Sequence, residues 1–586
     1  MREYSVPVLV DVPASASLTD TVFRRGEQEP GVLVMRRQVA GAWAAVTAAE
    51  FRDQVVAVAR GLVAAGVGHG DRVALMSRTR YEWTLVDYAI WAVGAVTVPI
   101  YETSSVDQVR WILSDSGAKA AFYELGNHLE TIQEAAPDLK LVWELTGDLD
   151  PGDVSAEAVL ELRERVGSAD LASIVYTSGT TGRPKGCRIT HDNLLFTARN
   201  AVNGPAERLF TTKEPSALLF LPLAHIFARL IQVAVIEAEA ILAHTPNMKN
   251  VAPDLASFHP TFMLGVPRVF EKVYIGAEQK AAAGGKGKIF ATAAATAVDW
   301  SRAEGTGGAG LGLRLRHALF DRLVYGKLRT ATGGQLRYCI SGGGALGERL
   351  GHFFHGVGIE ILEGYGLTET TAPLTVNIPG ANRIGTVGKP LPGVTIRIGD
   401  DGEILAKGRN VFEGYWNNDT PSRDDDGWYH TGDVGELDAQ GYLRITGRKK
   451  EILVTAAGKN VAPGPLEDAM RAHPLVSQAM LVGDDRPFVA ARVTLDPETL
   501  DQWKAAHGRP GATLAELRTD PEILAEVQSA VDTANRAVSK AEQIKKFTVL
   551  DVDLTEDSGH LTPTLKIKRN LVLRDFAKEI DALYDH

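Results

Sequence analysis

The chain has 586 residues, 45% hydrophobic, 23% charged and 7% aromatic. That length exceeds the ~250–300 residues at which single hydrophobic cores stop growing, so two or more domains are expected. A net charge of −11 argues against a nucleic-acid binder, although a local patch can still serve phosphate-bearing ligands.

The two cysteines, Cys187 and Cys339, form neither a disulfide framework nor a metal-ligand spacing, which suits a reducing cytosol. The run from Met1 is cut short by Asp11, so no signal peptide reads there. The longest apolar stretch, residues 89–100, contains Gly94 and Pro99 and is too short to span a bilayer, so any membrane contact would be peripheral.

In chain order, residues 51–65 have helical apolar spacing and stop at Gly66. Residues 73–76 read as a buried strand, 83–93 as a helix ended by Gly94, and 95–100 as a strand again. Residues 108–113 and 118–123 repeat the alternation. Such βα alternation predicts an α/β fold of parallel sheets covered by helices on both faces. Residues 276–335 are rich in Ala and Gly, with helical pieces such as 289–300, and read as a helical surface insertion. From residue 400 onward short strands are separated by Asp-Gly and Asn turns, and a small β-barrel-like subdomain is expected there. Gly447-Arg448-Lys449-Lys450 reads as a junction. The remainder mixes short strands with helices, 522–543 among them, as a smaller α+β domain.

The strand pattern 173–176 runs into Thr177-Ser178-Gly179-Thr180-Thr181-Gly182, then Arg183-Pro184-Lys185-Gly186. Small residues let backbone amides approach an anion, hydroxyls add donors, and Lys185 supplies a charge for phosphates. The Gly-Lys-Ser/Thr ending of P-loop NTPases is absent. A Gly-Thr-Thr-Gly alone would read as a solvated loop; the full string after a strand reads as a phosphate loop.

This string resembles the signature of the adenylate-forming superfamily of acyl-CoA synthetases, peptide-synthetase adenylation domains and luciferases. Matches extend over roughly residues 40–575. Within that superfamily the chain is most similar to long-chain fatty acyl-CoA synthetases of actinobacterial type, through Tyr101-Glu102-Thr103-Ser104-Ser105, Leu221-Pro222-Leu223-Ala224-His225, Val266-Pro267-Arg268-Val269-Phe270-Glu271-Lys272 and Gly447-Arg448-Lys449-Lys450-Glu451. The resemblance implies a large N-terminal domain over residues 1–449 and a mobile C-terminal domain over 450–586. It implies fatty acid, ATP and CoA as substrates, with Mg²⁺.

The resemblance also assigns roles. Tyr365 and Gly366, in Gly364-Tyr365-Gly366-Leu367-Thr368-Glu369-Thr370, would face the adenine. Thr368 would donate to a phosphate oxygen, and Glu369 is a hard oxygen ligand for Mg²⁺. Gly342, Gly343 and Gly344 belong to a loop flanking the adenine and the acyl pocket. Asp433 would hold the ribose hydroxyls, which one carboxylate can accept together, and Arg448 would reach the ribose or a phosphate. Lys566, in Thr562-Pro563-Thr564-Leu565-Lys566, is the catalytic lysine, offsetting the repulsion between carboxylate and α-phosphate. His225 would line the acyl pocket. Lys450 would be the hinge about which the C-terminal domain turns, to present Gly458, Lys459 and Asn460 for the CoA step. Away from these neighbours, Glu369, Asp433, Arg448 and Lys566 would read as solvated charges and His225 as a core histidine. His560 departs from the acidic residue frequent at that place. The expected function is a long-chain fatty acid–CoA ligase; the alternatives are an acyl-AMP ligase loading a carrier protein, or a non-catalytic nucleotide- or lipid-binding relative.

Overall fold

The computed structural model describes residues 1–177, 183–305, 307–556, 558–562 and 566–585. Two large α/β sheets and an antiparallel sheet form the N-terminal domain, and a smaller C-terminal domain carries its own core.

The first sheet has six strands in the order Leu141–Glu144, Ala120–Tyr123, Arg72–Met76, Val96–Ile100, Leu171–Thr177 and Lys185–Thr190. All neighbours are parallel except the last pair, a hairpin in which Thr177 faces Lys185. Helices Tyr81–Ala92 and Val106–Ser116 cross between its strands. The former buries eleven of its twelve residues, which explains its lack of a polar face. Helix Ala48–Ala64 starts at a reciprocal cap between Thr47 and Glu50, three residues before the apolar spacing begins.

The second sheet has nine strands, with a parallel centre from Leu33–Val39 through Ile241–His244, Ser216–Leu219, Phe262–Gly265 and Tyr338–Ser341 to Glu360–Leu367. The third is a five-stranded antiparallel sheet, Glu3–Ser5, Thr395–Ile398, Glu403–Lys407, Tyr429–Leu437 and Leu443–Arg448. Residues 276–335 contain helices Gly287–Glu304, Leu311–Phe320 and Gly326–Ala331, the last two joined by a wider turn, Asp321–Tyr325.

The C-terminal domain packs helices Pro463–Arg471 and Pro521–Asn535 on a sheet of Val476–Val482, Val489–Leu495 and Ile544–Val549. The helix expected over 522–543 is shorter than its spacing suggested. It stops at Asn535, whose side chain bonds both N–H and C=O of Ile544 (2.8 and 3.0 Å) and turns the chain into a strand.

Candidate active site

The phosphate-loop residues Ser178, Gly179, Thr180, Thr181 and Gly182 lie outside the described residues, but both ends of that loop are in place. Tyr176 donates to Asp115 (2.6 Å), and the Trp416 N–H donates to the Gly186 carbonyl (2.7 Å). Trp111 donates its indole N–H to the Pro184 carbonyl (2.8 Å) and lies 4.7 Å beneath the Arg183 guanidinium. The Lys185 ammonium stands 5.0 Å from the Tyr415 ring.

Tyr415 is also the partner of Glu369, donating its hydroxyl to the carboxylate at 2.7 Å. Nothing near either residue in sequence signals this link, because it crosses 46 positions. Glu369 and Thr368 occupy a single turn, Thr368–Thr370, after strand Glu360–Leu367. Thr371 and Ala372 follow with φ of 51° and 67°, so the chain doubles back tightly. A Cβ on Gly366 would stand 1.8 Å from the Ala372 carbonyl oxygen; only glycine fits there.

Strand pairing sets Asp433 opposite Arg448. The buried Asp433 carboxylate accepts from Arg448 Nε (3.0 Å) and from the Tyr365 hydroxyl (2.7 Å). Burial, then the Asp433 charge, push the Tyr365 phenol well above its usual range, so it stays a neutral donor. Thus Tyr365, Asp433 and Arg448, scattered over three sequence motifs, form one cluster.

Lys566 comes to this cluster from the C-terminal domain. Its carbonyl accepts from the Thr562 N–H (2.9 Å), its N–H donates to the Thr562 hydroxyl (3.1 Å), and Leu561 bridges to Ile567; residues 563–565 lie outside the described residues. The residue as a whole is exposed, yet its ammonium is desolvated by its surroundings. That desolvation, then Arg448, hold the lysine below its usual range against the pull of Asp433, Glu451 and Glu369.

Half-buried His225 caps helix Ile226–Glu237, its Nδ1 accepting from the Phe227 N–H (3.2 Å). Burial, then Lys566, lower its pKa to about 4, so the ring is neutral at pH 7. Gly342, Gly343 and Gly344 follow strand Tyr338–Ser341; a Cβ on Gly342 would meet the Phe227 ring at 2.7 Å, and Gly343 has φ 82°. Cys187 is buried, and its thiol is pushed well up, first by burial.

Two other sets stand apart. Lys450 is exposed in the turn Lys449–Glu451, directly after Lys449 anchors to Asp401 (2.6 Å) and Glu403 (3.0 Å). Gly458 (φ 75°), Lys459 and Asn460 are exposed in a hairpin whose bonds run within the C-terminal domain, Lys459 reaching Glu542 at 3.4 Å. His560 contacts Ser558 (2.9 Å) and Asp575 (3.1 Å). Arg569 clips the C-terminal domain internally, donating to Glu467 (2.7 Å) and the Leu481 carbonyl (2.8 Å).

Residues 22–416 match the model of the AMP-binding enzyme family, about two thirds of the chain. The chain is an AMP-binding enzyme. Residues 450–586 match the AMP-binding enzyme C-terminal domain, which places Lys566 in the second match. This AMP-binding enzyme is 49% identical to the long-chain-fatty-acid–CoA ligase FadD15 of Mycobacterium bovis and 48% identical to that of Mycobacterium tuberculosis, each over all of both chains. Solved structures share its fold. The anthranilate CoA ligase AuaEII in complex with anthranoyl-AMP superposes with a TM-score of 0.71 at 20% identity, covering 98% of this chain and 99% of that one. ATP-bound MatB from Rhodopseudomonas palustris gives 0.69 at 24% identity, covering 96% and 99%.

Proposed function

We propose that this enzyme is a long-chain fatty acid–CoA ligase working through an acyl-adenylate. The observation that carries the reading is the cluster in which Asp433 accepts from Arg448 (3.0 Å) and Tyr365 (2.7 Å), with Lys566 supplied from the C-terminal domain. The names and full-length identity of the FadD15 relatives support the substrate class.

In the first half-reaction a carboxylate oxygen bonds to the ATP α-phosphorus and pyrophosphate leaves. Thr177, Lys185 and the loop 178–182 hold the phosphates, and Thr368 donates to a phosphate oxygen. Tyr365 and Gly366 face the adenine, with Gly343 and Gly344 flanking it, while Asp433 and Arg448 hold the ribose. Lys566 screens the approaching anions and steadies charge on the pentavalent phosphorus. Glu369, oriented by Tyr415, would hold Mg²⁺. Bound there, the metal neutralises phosphate charge.

In the second half-reaction the CoA sulfur attacks the acyl carbonyl, AMP leaves, and the thiol proton passes to solvent. Residues 1–449 form the adenylating body and 450–586 the moving domain, with Lys450 as hinge, immediately beyond the Lys449 anchor. Rotation withdraws Lys566 and brings Gly458, Lys459 and Asn460 to the thiol path; His225 and Gly342 line the acyl pocket. We place the enzyme in the cytoplasm, where any contact with the inner face of the membrane would be peripheral. No helix among the described residues is long and apolar enough to cross a membrane.

Fatty-acid-dependent exchange of labelled pyrophosphate into ATP tests the reading. Exchange with long-chain but not short-chain acids is expected; no exchange with any acid would overturn it.

A further inference from the structure

Helix Leu311–Phe320 and the turn Asp321–Tyr325 carry exposed leucines at every fourth position. Leu311 is 79% exposed, Leu315 73%, Leu319 55% and Leu323 47%. A stripe of this size on one side of one helical segment is unusual for a soluble surface. The opposite side is firmly seated. Phe320 is buried, His317 stacks on Trp300 at 4.1 Å and bonds the Gly356 carbonyl (2.7 Å), and the Tyr325 hydroxyl donates to the Ala293 carbonyl (2.7 Å). The leucines therefore project outward from a fixed base.

Charge around the stripe runs against the rest of the molecule. Residues 307–337 hold Arg314, Arg316, Arg322, Lys327, Arg329 and Arg337 against a single acid, Asp321, in a chain of net charge −11. Asp321 is paired with Arg329 at 2.8 Å, while Arg316, Arg322 and Lys327 are exposed. Apolar stripe and basic flank together are the signature of a helix that lies in a membrane interface.

We propose that residues 311–327 dock this enzyme onto an anionic lipid surface, with the four leucines in the headgroup–acyl boundary and Arg316, Arg322 and Lys327 on the phosphates. The position suits the chemistry. Helix Gly287–Glu304, on which the docking segment sits, packs so closely on helix Glu348–Val357 that a Cβ on Gly356 would lie 2.1 Å from the Ala297 carbonyl oxygen. The latter helix begins just beyond the Gly342–Gly344 loop. The proposal deepens the reading of a long-chain acid as substrate, because such acids reside in bilayers; vesicle binding needs no turnover, so each can fail without the other.

The test is flotation of the full-length protein with vesicles of phosphatidylcholine alone or mixed with phosphatidylglycerol. Binding to the mixed vesicles is expected, weakened by salt. Leu315→Glu with Leu319→Glu should abolish it, and Arg316→Glu with Arg322→Glu should weaken it by about fivefold for each arginine lost. Both variants should keep wild-type melting and wild-type turnover of an acid supplied in detergent. The proposal is overturned if the wild type does not float with the mixed vesicles, or if the variants float as it does. It is equally overturned if sedimentation shows a dimer that the leucine substitutions dissolve, for then a second copy covers the stripe.

Discussion

Replacing Lys566 by Met keeps much of the side chain's length and removes its charge. The nearby cation, Arg448, is already engaged by Asp433 at 3.0 Å, so it cannot take over without breaking the ribose cluster. Loss of one preorganised charged donor at a reacting centre costs roughly 10²–10³ in kcat. The assay splits the half-reactions: pyrophosphate exchange should fall by about that factor, while thioester formation from supplied acyl-adenylate should stay close to wild type. The wild type should also lose adenylation at high pH, as Lys566 deprotonates below the ~10.4 of an ordinary lysine; Lys566→Arg should remove that alkaline limb from whatever activity remains. Equal loss of both half-reactions in Lys566→Met would refute the assignment.

Three further outcomes follow from the packing. Glu363, 8% exposed and accepting from the Leu346 N–H (3.0 Å), has its carboxyl pushed up to about 7, first by burial. Folded Glu363 keeps its proton where the unfolded residue has lost it, so stability falls as pH rises from about 4.5 to about 7. Glu363→Gln should therefore add up to about 3 kcal/mol at pH 8 and nothing at pH 4, read as melting curves against pH. Asp87→Asn strips the charge partner from Arg229, which is fully buried between Trp83 and Trp91 (5.4 and 5.0 Å) and donates to Asp87 at 3.0 Å. It should cost about 3–5 kcal/mol in denaturant unfolding; a change under 1 kcal/mol would show the pair to be dispensable. Arg268 bridges Glu271 of its own helix and Asp496 of the C-terminal domain, both at 3.0 Å. Arg268→Ala should slow adenylation by about fivefold, the upper end for a partly exposed pair, and spare thioester formation from supplied adenylate; an unchanged adenylation rate would dismiss the latch.

The elements that the sequence made legible are those whose apolar spacing is local. The strand expected at 73–76 is Arg72–Met76, and the helix expected at 83–93 is Tyr81–Ala92. Where the end of an element depends on a distant partner, the spacing fails: Asn535 ends its helix early by holding Ile544. The site shows the same division. The motifs single out Asp433 and Arg448 separately, and strand pairing sets them opposite each other, bonded at 3.0 Å. Tyr415 on Glu369 and Asp115 on Tyr176 were not readable from motifs, since each contact joins residues that no spacing connects. The leucine stripe illustrates a further limit. A period of four in residues 311–323 looks the same in sequence whether it faces a core or faces outward, and only the seating of His317, Phe320 and Tyr325 decides the side.

The most direct test of the ligase assignment is to supply a long-chain fatty acid, ATP, Mg²⁺ and CoA as the sole acceptor, and to quantify products by mass spectrometry. The account predicts acyl-CoA and AMP in equal amounts, with acyl-adenylate only transient. Acyl-adenylate accumulating while CoA remains unconsumed would contradict it.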